Sequence, residues 1–109
     1  MTAPTFGILG QSKPPATVLT NIYTVPLARR ASIKVIAANQ GAAADSFRVA
    51  HALAGAADAT KQYLVFDVAV DVAASKGTDR ITMNAGDILR VRSANGDISF
   101  NINGIEEDA

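Results

Sequence analysis

The sequence of residues 87–105, DILRVRSANGDISFNINGI, decides the fold class of this chain. Residues 88–93 and 98–103 each alternate apolar and polar side chains, which is the pattern of a strand with one buried face. Asn95-Gly96 lies between the two runs, and this pair is favoured at the two positive-φ positions of a type I′ turn. We therefore predict an antiparallel β-hairpin over residues 87–105.

The polar positions of this hairpin form a predicted contact surface. Arg90 and Arg92 lie on the face away from the apolar positions, and across the hairpin they are expected to face Ser99, Asn101 and Asn103. Two cations beside a row of uncharged polar side chains are compatible with two interpretations. One is an ordinary hydrated face, and the other is a hydrogen-bonding surface for another protein.

The same period of two predicts an all-β domain upstream of the hairpin. Turn residues recur about every 8–12 residues, a spacing typical of a sandwich or barrel. Residues 41–59 are rich in alanine and fit either a strand plus loop or a helix, and Gly55 and Val49 favour the strand plus loop. We predict an antiparallel β-sandwich of jelly-roll-like type with about seven or eight strands. The predicted upstream strands cover residues 17–25, 31–39, 46–53, 61–72 and 80–83.

The N-terminal segment differs from the rest of the chain. Residues 1–16 contain three prolines and two glycines, which are incompatible with a central strand or a helix interior. We predict an extended arm over residues 1–16 and a sandwich domain over residues 17–109. Phe6, Ile8 and Leu9 are apolar side chains within this arm, and they need a surface to cover, either on this domain or on a neighbouring subunit.

The composition limits the classes of partner. The 109 residues fit one domain, and there is no cysteine for a disulfide or a thiolate. Ten basic and ten acidic residues cancel, so no global field attracts nucleic acid or an anionic membrane, and neither is a predicted partner. No apolar run approaches the roughly 20 residues of a membrane span. The N-terminus lacks the basic start and apolar run of a signal peptide.

The charges are distributed unevenly along the chain. Arg29 and Arg30 belong to a basic region without any acid before Asp45, and four acids without any base follow Arg92. The two regions are either hydrated surfaces or a complementary pair that orients one subunit against another.

No residue pattern indicates catalysis. His51 is the only histidine and lies on a predicted apolar strand face, which favours a packed or hydrogen-bonded side chain. No second histidine or cysteine completes a zinc site, and no serine lies on a recognisable nucleophile turn. A calcium loop of the Asp-x-Asp-x-Asp-Gly type is also missing. We predict a protein without enzyme activity, metal or cofactor.

Six segments of the sequence carry a resemblance to a known family: IYTVP (22–26), ASIKVIAAN (31–39), SFRVA (46–50), KQYL (61–64), NAGDILRV (84–91) and ISFNINGIE (98–106). In their order and spacing they resemble small structural proteins of tailed bacteriophage particles. Two stretches depart from the family pattern: residues 27–29, where a small residue and glycine are common, and residues 73–76, where a more apolar stretch is expected.

The resemblance implies a capsid decoration or cement protein. Such a protein is made in the host cytoplasm, binds the outer surface of the virion as a dimer or trimer, and bridges major capsid protein subunits. A tail or baseplate component is an alternative virion protein, and a glycan- or host-receptor-binding module is an alternative of another class. The predicted partner-binding residues are Phe6, Ile8, Leu9, Arg29, Arg30, Arg90, Arg92, Asn101 and Asn103.

Overall fold

The computed structural model describes residues 3–109, which form nine strands in two antiparallel sheets. The all-β sandwich predicted from the sequence is confirmed. The strand count is slightly higher than predicted because residues 5–12 form an edge strand and residues 75–77 form a short additional strand paired to β3. The strands are β1 (Thr5–Ser12), β2 (Thr20–Thr24), β3 (Arg29–Asn39), β4 (Asp45–Ala52), β5 (Tyr63–Val70), β6 (Ser75–Gly77), β7 (Ile81–Met83), β8 (Ile88–Ser93) and β9 (Ile98–Asp108).

The strand order is that of a jelly roll. Sheet A has the order β1-β9-β3-β6, with β7 also paired to β3, and sheet B has the order β2-β8-β4-β5. The pairs β1–β9, β2–β8 and β4–β5 are nested: each pair lies, in sequence, inside the one before it. This is the pairing of one long hairpin whose two arms are the first and second halves of the chain. Rolling this hairpin brings β9 beside β3 and β8 beside β4, which produces two facing sheets.

The predicted hairpin over residues 87–105 is wrong, although both of its strands exist. β8 lies in sheet B and β9 lies in sheet A, so residues 94–97 cross between the sheets. Gly96 has a φ of +78°, but Asn95 is not among the residues with positive φ, so the turn is not of type I′. Alternation specifies the buried face of a strand without specifying its neighbour. In a jelly roll, consecutive strands pack face to face across the core.

Asp45 holds the crossing between the two sheets. Its carboxylate accepts hydrogen bonds from the backbone N–H groups of Ser46 at 2.7 Å, Asn95 at 2.9 Å and Asp97 at 3.3 Å. Asp45 is only 4% exposed, and a buried carboxylate is tolerated only when hydrogen bonds compensate for lost hydration. Asp45 therefore supplies acceptors for backbone N–H groups that would donate to carbonyl groups of the opposite strand in a hairpin.

The core lies between the two sheets and is mostly aliphatic. In β9, Ile98, Phe100 and Ile102 point inward and are fully buried, as the alternation of residues 98–103 predicts. β3 alternates in the same way and contributes Val35 among others. The rings of Phe47 and Phe100 meet across the core with centroids 6.0 Å apart, which joins the two sheets.

Within the N-terminal segment, Thr5–Ser12 is part of the sandwich and does not project from it. Residues 5–12, which the sequence assigns to a separate arm, form β1 and pair with β9 at one edge of sheet A. The register shifts between Ile8 and Gly10, and Leu9 packs against the core. A Cβ on Gly10 would lie 2.6 Å from the carbonyl oxygen of Ile22, so this glycine permits the close approach. Proline and glycine exclude a central strand but are compatible with an edge strand.

Residues 41–59 contain a strand followed by a loop, as predicted, and no α-helix forms within them. After β4 the chain passes through two 3-10 turns, Leu53–Gly55 and Thr60–Gln62, before it enters β5. Ala50 and Ala52 near the end of β4 are fully buried. These two alanines serve close packing in a strand, whereas most of the other alanines of this stretch are exposed outside it.

The Asp45 contacts predict a large loss of stability on substitution. We expect Asp45→Ala to lower the free energy of unfolding by about 2–4 kcal/mol, because it leaves three partly buried backbone N–H groups without acceptors. Urea denaturation followed by circular dichroism measures this change. Asp79→Ala, at an exposed acid, is the control and should change stability by less than about 0.5 kcal/mol. Equal effects of the two substitutions would contradict the role given to Asp45.

Candidate functional site

Arg29 lies in a buried ionic network at one end of the sandwich. Its Nε donates to Glu106 Oε1 at 2.8 Å and its Nη1 donates to Asp108 Oδ1 at 2.7 Å. The Tyr23 hydroxyl donates to the other oxygen of Glu106 at 2.6 Å. Burial, followed by the hydrogen bond to Glu106, raises the pKa of Tyr23 far above its usual value, so this hydroxyl stays a donor at physiological pH.

The uneven charge distribution of the sequence is explained by this network. Arg29 and Arg30 at the start of β3 pair in register with Asp108 and Glu107 at the end of β9. Arg30 Nε lies 3.1 Å from Glu107 Oε1 in a more exposed ion pair. The basic early region and the acidic late region thus meet within one chain, and Arg29 contributes mainly to its own fold.

The outer face of sheet A carries four of the predicted partner-binding residues. Phe6 and Ile8 on β1 are 73% and 53% exposed. In register they lie opposite Ile105 and Asn103 on β9, and Asn101 lies further along the same strand. We call these five residues the β1 face. It combines exposed apolar side chains with uncharged hydrogen-bonding groups beside a strand that has no neighbour on its outer side among the described residues.

Two cations border the β1 face. Lys34 and Arg80 line a shallow depression of about 320 Å³ together with Phe6, Asn103 and Ile105. Within residues 3–109, neither cation has a carboxylate at ion-pair distance. The depression therefore offers positive charge next to apolar surface.

Arg90 and Arg92 lie on the opposite side of the molecule from the β1 face. Both belong to β8 in sheet B, so the predicted surface shared with Asn101 and Asn103 is wrong. The error follows from the hairpin, which would have placed all four on one sheet. Arg90 donates to Asn21 Oδ1 and to the Ala56 carbonyl oxygen, each at 2.9 Å, and so it supports the loop after β4.

A charged cluster on sheet B was not predicted from the sequence. Arg48 on β4 donates to both carboxylate oxygens of Asp67 at 2.7 and 3.0 Å, and its guanidinium lies 4.0 Å from the ring centroid of Phe66. The cluster depends on a register irregularity in the β4–β5 pairing. A regular alternation of residues, which was the available signal, does not reveal such an irregularity.

His51 is hydrogen-bonded as predicted. Its Nε2 lies 2.8 Å from Asp87 Oδ2, and Asp87 also accepts from the backbone N–H groups of Ala54 at 2.9 Å and Asn84 at 3.0 Å. The pair therefore joins two segments of the chain, residues 51–54 and 84–87, at one end of the sandwich. Residues 3–109 contain no group of three or more histidine or acidic side chains that could hold a metal ion.

Comparisons with known proteins identify no relative of this chain. The chain matches no family model, no curated protein and no solved structure. The resemblance to phage particle proteins therefore stays a prediction from the sequence. Across the described residues, no helix has the length and apolar character needed to cross a membrane.

The Asp87 contacts predict a pH-dependent contribution to stability. Burial alone would raise the pKa of Asp87, but the hydrogen bonds from Ala54, Asn84 and His51 outweigh it and hold this pKa below its usual value. A carboxylate with a lowered folded-state pKa stabilises the fold above its unfolded-state value of about 3.9. This contribution is lost as the pH falls through the lower folded-state value.

We therefore expect Asp87→Asn to lower the free energy of unfolding at pH 7 by about 1–3 kcal/mol. The difference from the unmodified protein should shrink as the pH falls below about 4. Urea denaturation between pH 7 and pH 2.5 measures both effects, with Asp79→Asn as the control. A difference that stays constant over this range would show that the charge of Asp87 is unimportant.

Proposed function

We propose that this chain is a non-enzymatic structural protein of a tailed phage particle, and that it binds the assembled head as a decoration protein. The virion context rests on the resemblance of the sequence segments. The mode of action rests on one structural observation, the exposure of Phe6 and Ile8 on an edge strand. Binding through this strand would bridge capsid subunits and stabilise the shell, because the contacts exist only in the assembled particle.

The β1 face has the properties of a surface that another protein covers. An edge strand offers unpaired backbone N–H and C=O groups, and monomeric proteins generally protect such edges with charge or proline. Phe6 and Ile8 instead present apolar side chains there. Asn101 and Asn103 on the adjacent strand add hydrogen-bonding groups, and Gln11 Nε2 already donates to Asn101 Oδ1 at 2.7 Å.

The energetics favour an oligomer over a single bound copy. Burying two large apolar side chains contributes about 3–6 kcal/mol. Association of two proteins costs about 4–15 kcal/mol in lost translational and rotational freedom. The apolar part of one β1 face therefore does not sustain binding by itself. A dimer or trimer that presents several such faces meets this cost once and gains the contacts several times.

The alternatives differ in the partner. A tail or baseplate component would use the same face on a different particle surface. A glycan-binding module needs an exposed aromatic platform, and Phe66 is a half-exposed ring that could contribute to one. However, the guanidinium of Arg48 already covers that ring at 4.0 Å, which makes the glycan interpretation weaker.

Co-sedimentation with empty shells of the cognate major capsid protein tests this proposal. We expect saturable binding of the unmodified protein and at least a tenfold weaker affinity for the Phe6→Ser/Ile8→Ser double variant, a change of about 1.4 kcal/mol or more. Val18→Ser/Val72→Ser is a matched control, because these valines are also about half exposed, at 48% and 50%. Circular dichroism confirms that both variants are folded.

Three outcomes would contradict the decoration role. Binding to purified tails without binding to shells would favour the tail component. A specific signal on a glycan array, without binding to either particle, would favour the glycan module. Shell binding that the Phe6→Ser/Ile8→Ser variant retains in full would remove the β1 face from the mechanism.

A further inference from the structure

The outer face of sheet B carries a second cluster, which contains two arginines, one carboxylate and two aromatic rings. Arg48 on β4 lies directly opposite Arg92 on β8 in the strand register. Asp67, Phe66 and Tyr63 come from β5, the edge strand next to β4. We call these five residues the arginine face, and they lie in the sheet opposite to the one that carries the β1 face.

Asp67 orders one half of the arginine face. It has a φ of +55°, within a strand whose register with β4 shifts at this point. Such irregularities re-aim side chains, and here the carboxylate turns to accept two hydrogen bonds from Arg48, at 2.7 and 3.0 Å. The guanidinium of Arg48 also stacks on Phe66, and Tyr63 meets Phe66 edge to face with centroids 5.3 Å apart. Arg48 is therefore held in one orientation before any partner arrives.

Arg92 forms the incomplete half of the face. Among the described residues it makes no ion pair and no side-chain hydrogen bond within the usual distance limits. Like charges directly opposite one another on adjacent strands are destabilising, and one carboxylate serves two guanidinium groups here. The hydrogen bond from Arg48 lowers the pKa of Asp67 despite partial burial, and the charges of Arg48 and Arg92 lower it further, so Arg92 lies within electrostatic range of the same carboxylate.

The composition of the arginine face is that of an interface centre. Arginine, tyrosine and phenylalanine are enriched in the well-packed centres of protein interfaces, where a few residues carry most of the binding energy. Phe66 is 53% exposed. The face thus combines a preorganised cation, a second cation without a partner, and apolar surface.

We propose that the arginine face binds a carboxylate-bearing segment of a partner protein. A glutamate or aspartate of the partner takes two hydrogen bonds from Arg92, as Asp67 does from Arg48. Arg92 and Arg48 then each have one carboxylate. This inference deepens the proposed function and rests on it only for the identity of the partner, which would be an acidic segment of another virion protein.

The chemistry of the cluster favours a carboxylate over a nucleic-acid phosphate. The chain has no net charge, so no long-range field supplies the electrostatic attraction on which nucleic-acid binding depends. The ring of Phe66 is stacked by Arg48 and is not a free platform for a base.

Titration of the ¹⁵N-labelled protein with a decaglutamate peptide tests this inference, with the arginine side-chain N–H resonances as the readout. We expect saturable shifts at Arg92 and Arg48 and at least a fivefold weaker apparent affinity for Arg92→Gln, because a bidentate charge-assisted pair is lost. Lys76→Gln is the control, since Lys76 is an exposed cation outside both faces and without an ion pair in the described region. It should bind the peptide as the unmodified protein does.

Several results would overturn the inference. The first is that Arg92→Gln leaves the decaglutamate-induced shifts unchanged. The second is that the protein binds a ten-residue oligothymidylate more tightly than decaglutamate. The third is that the protein self-associates in sedimentation and that Arg92→Gln abolishes this self-association. The last two would assign the face to a phosphate backbone or to a second copy of this chain. Shell binding separates the two proposals. If the unmodified protein binds shells but does not respond to decaglutamate, only the proposal for the arginine face is rejected. If it responds to decaglutamate but does not bind shells, only the decoration role is rejected.

Discussion

The antiparallel ladder between β3 and β9 is the interaction on which the rest of the structure depends. It runs without a register shift from Arg29 opposite Asp108 to Asn39 opposite Ile98. It fixes the inward positions of both strands and so aligns Val35 with Ile102 in the core. It also brings the basic start of β3 to the acidic end of β9. Both the apolar core and the buried ion pairs of sheet A follow from this one register.

The same ladder separates the two exposed surfaces of the molecule. β9 is held between β3 and β1, so its outward side chains join those of β1 on sheet A. β8, only a few residues earlier in the chain, lies in sheet B and contributes Arg92 to the other side. Strands that are adjacent in sequence thus supply surfaces that face in opposite directions. A small domain of this kind is able to contact two partners at once.

The sequence predicts the faces of strands well and their neighbours poorly. Period-two alternation correctly assigned the buried positions of β3 and β9, and the predicted hydrogen bonding of His51 is confirmed. The hairpin was wrong because alternation is identical for strands that pair side by side and strands that face each other across a core. Arg48 was missed because its stacking on Phe66 requires a shifted register in β5, and register depends on contacts between distant residues.

The nested pairing of the strands also determines when this protein is able to fold. Thr5 pairs with Glu106, and β9 occupies a position between two strands from the first half of the chain. Sheet A therefore lacks the strand that joins β1 to β3 until β9 has left the ribosome. Folding dominated by such distant contacts takes place on the scale of about milliseconds to seconds. Until then the edge of β3 that later pairs with β9 is open, and this strand, with its aliphatic face, is the segment most in need of protection from aggregation during synthesis.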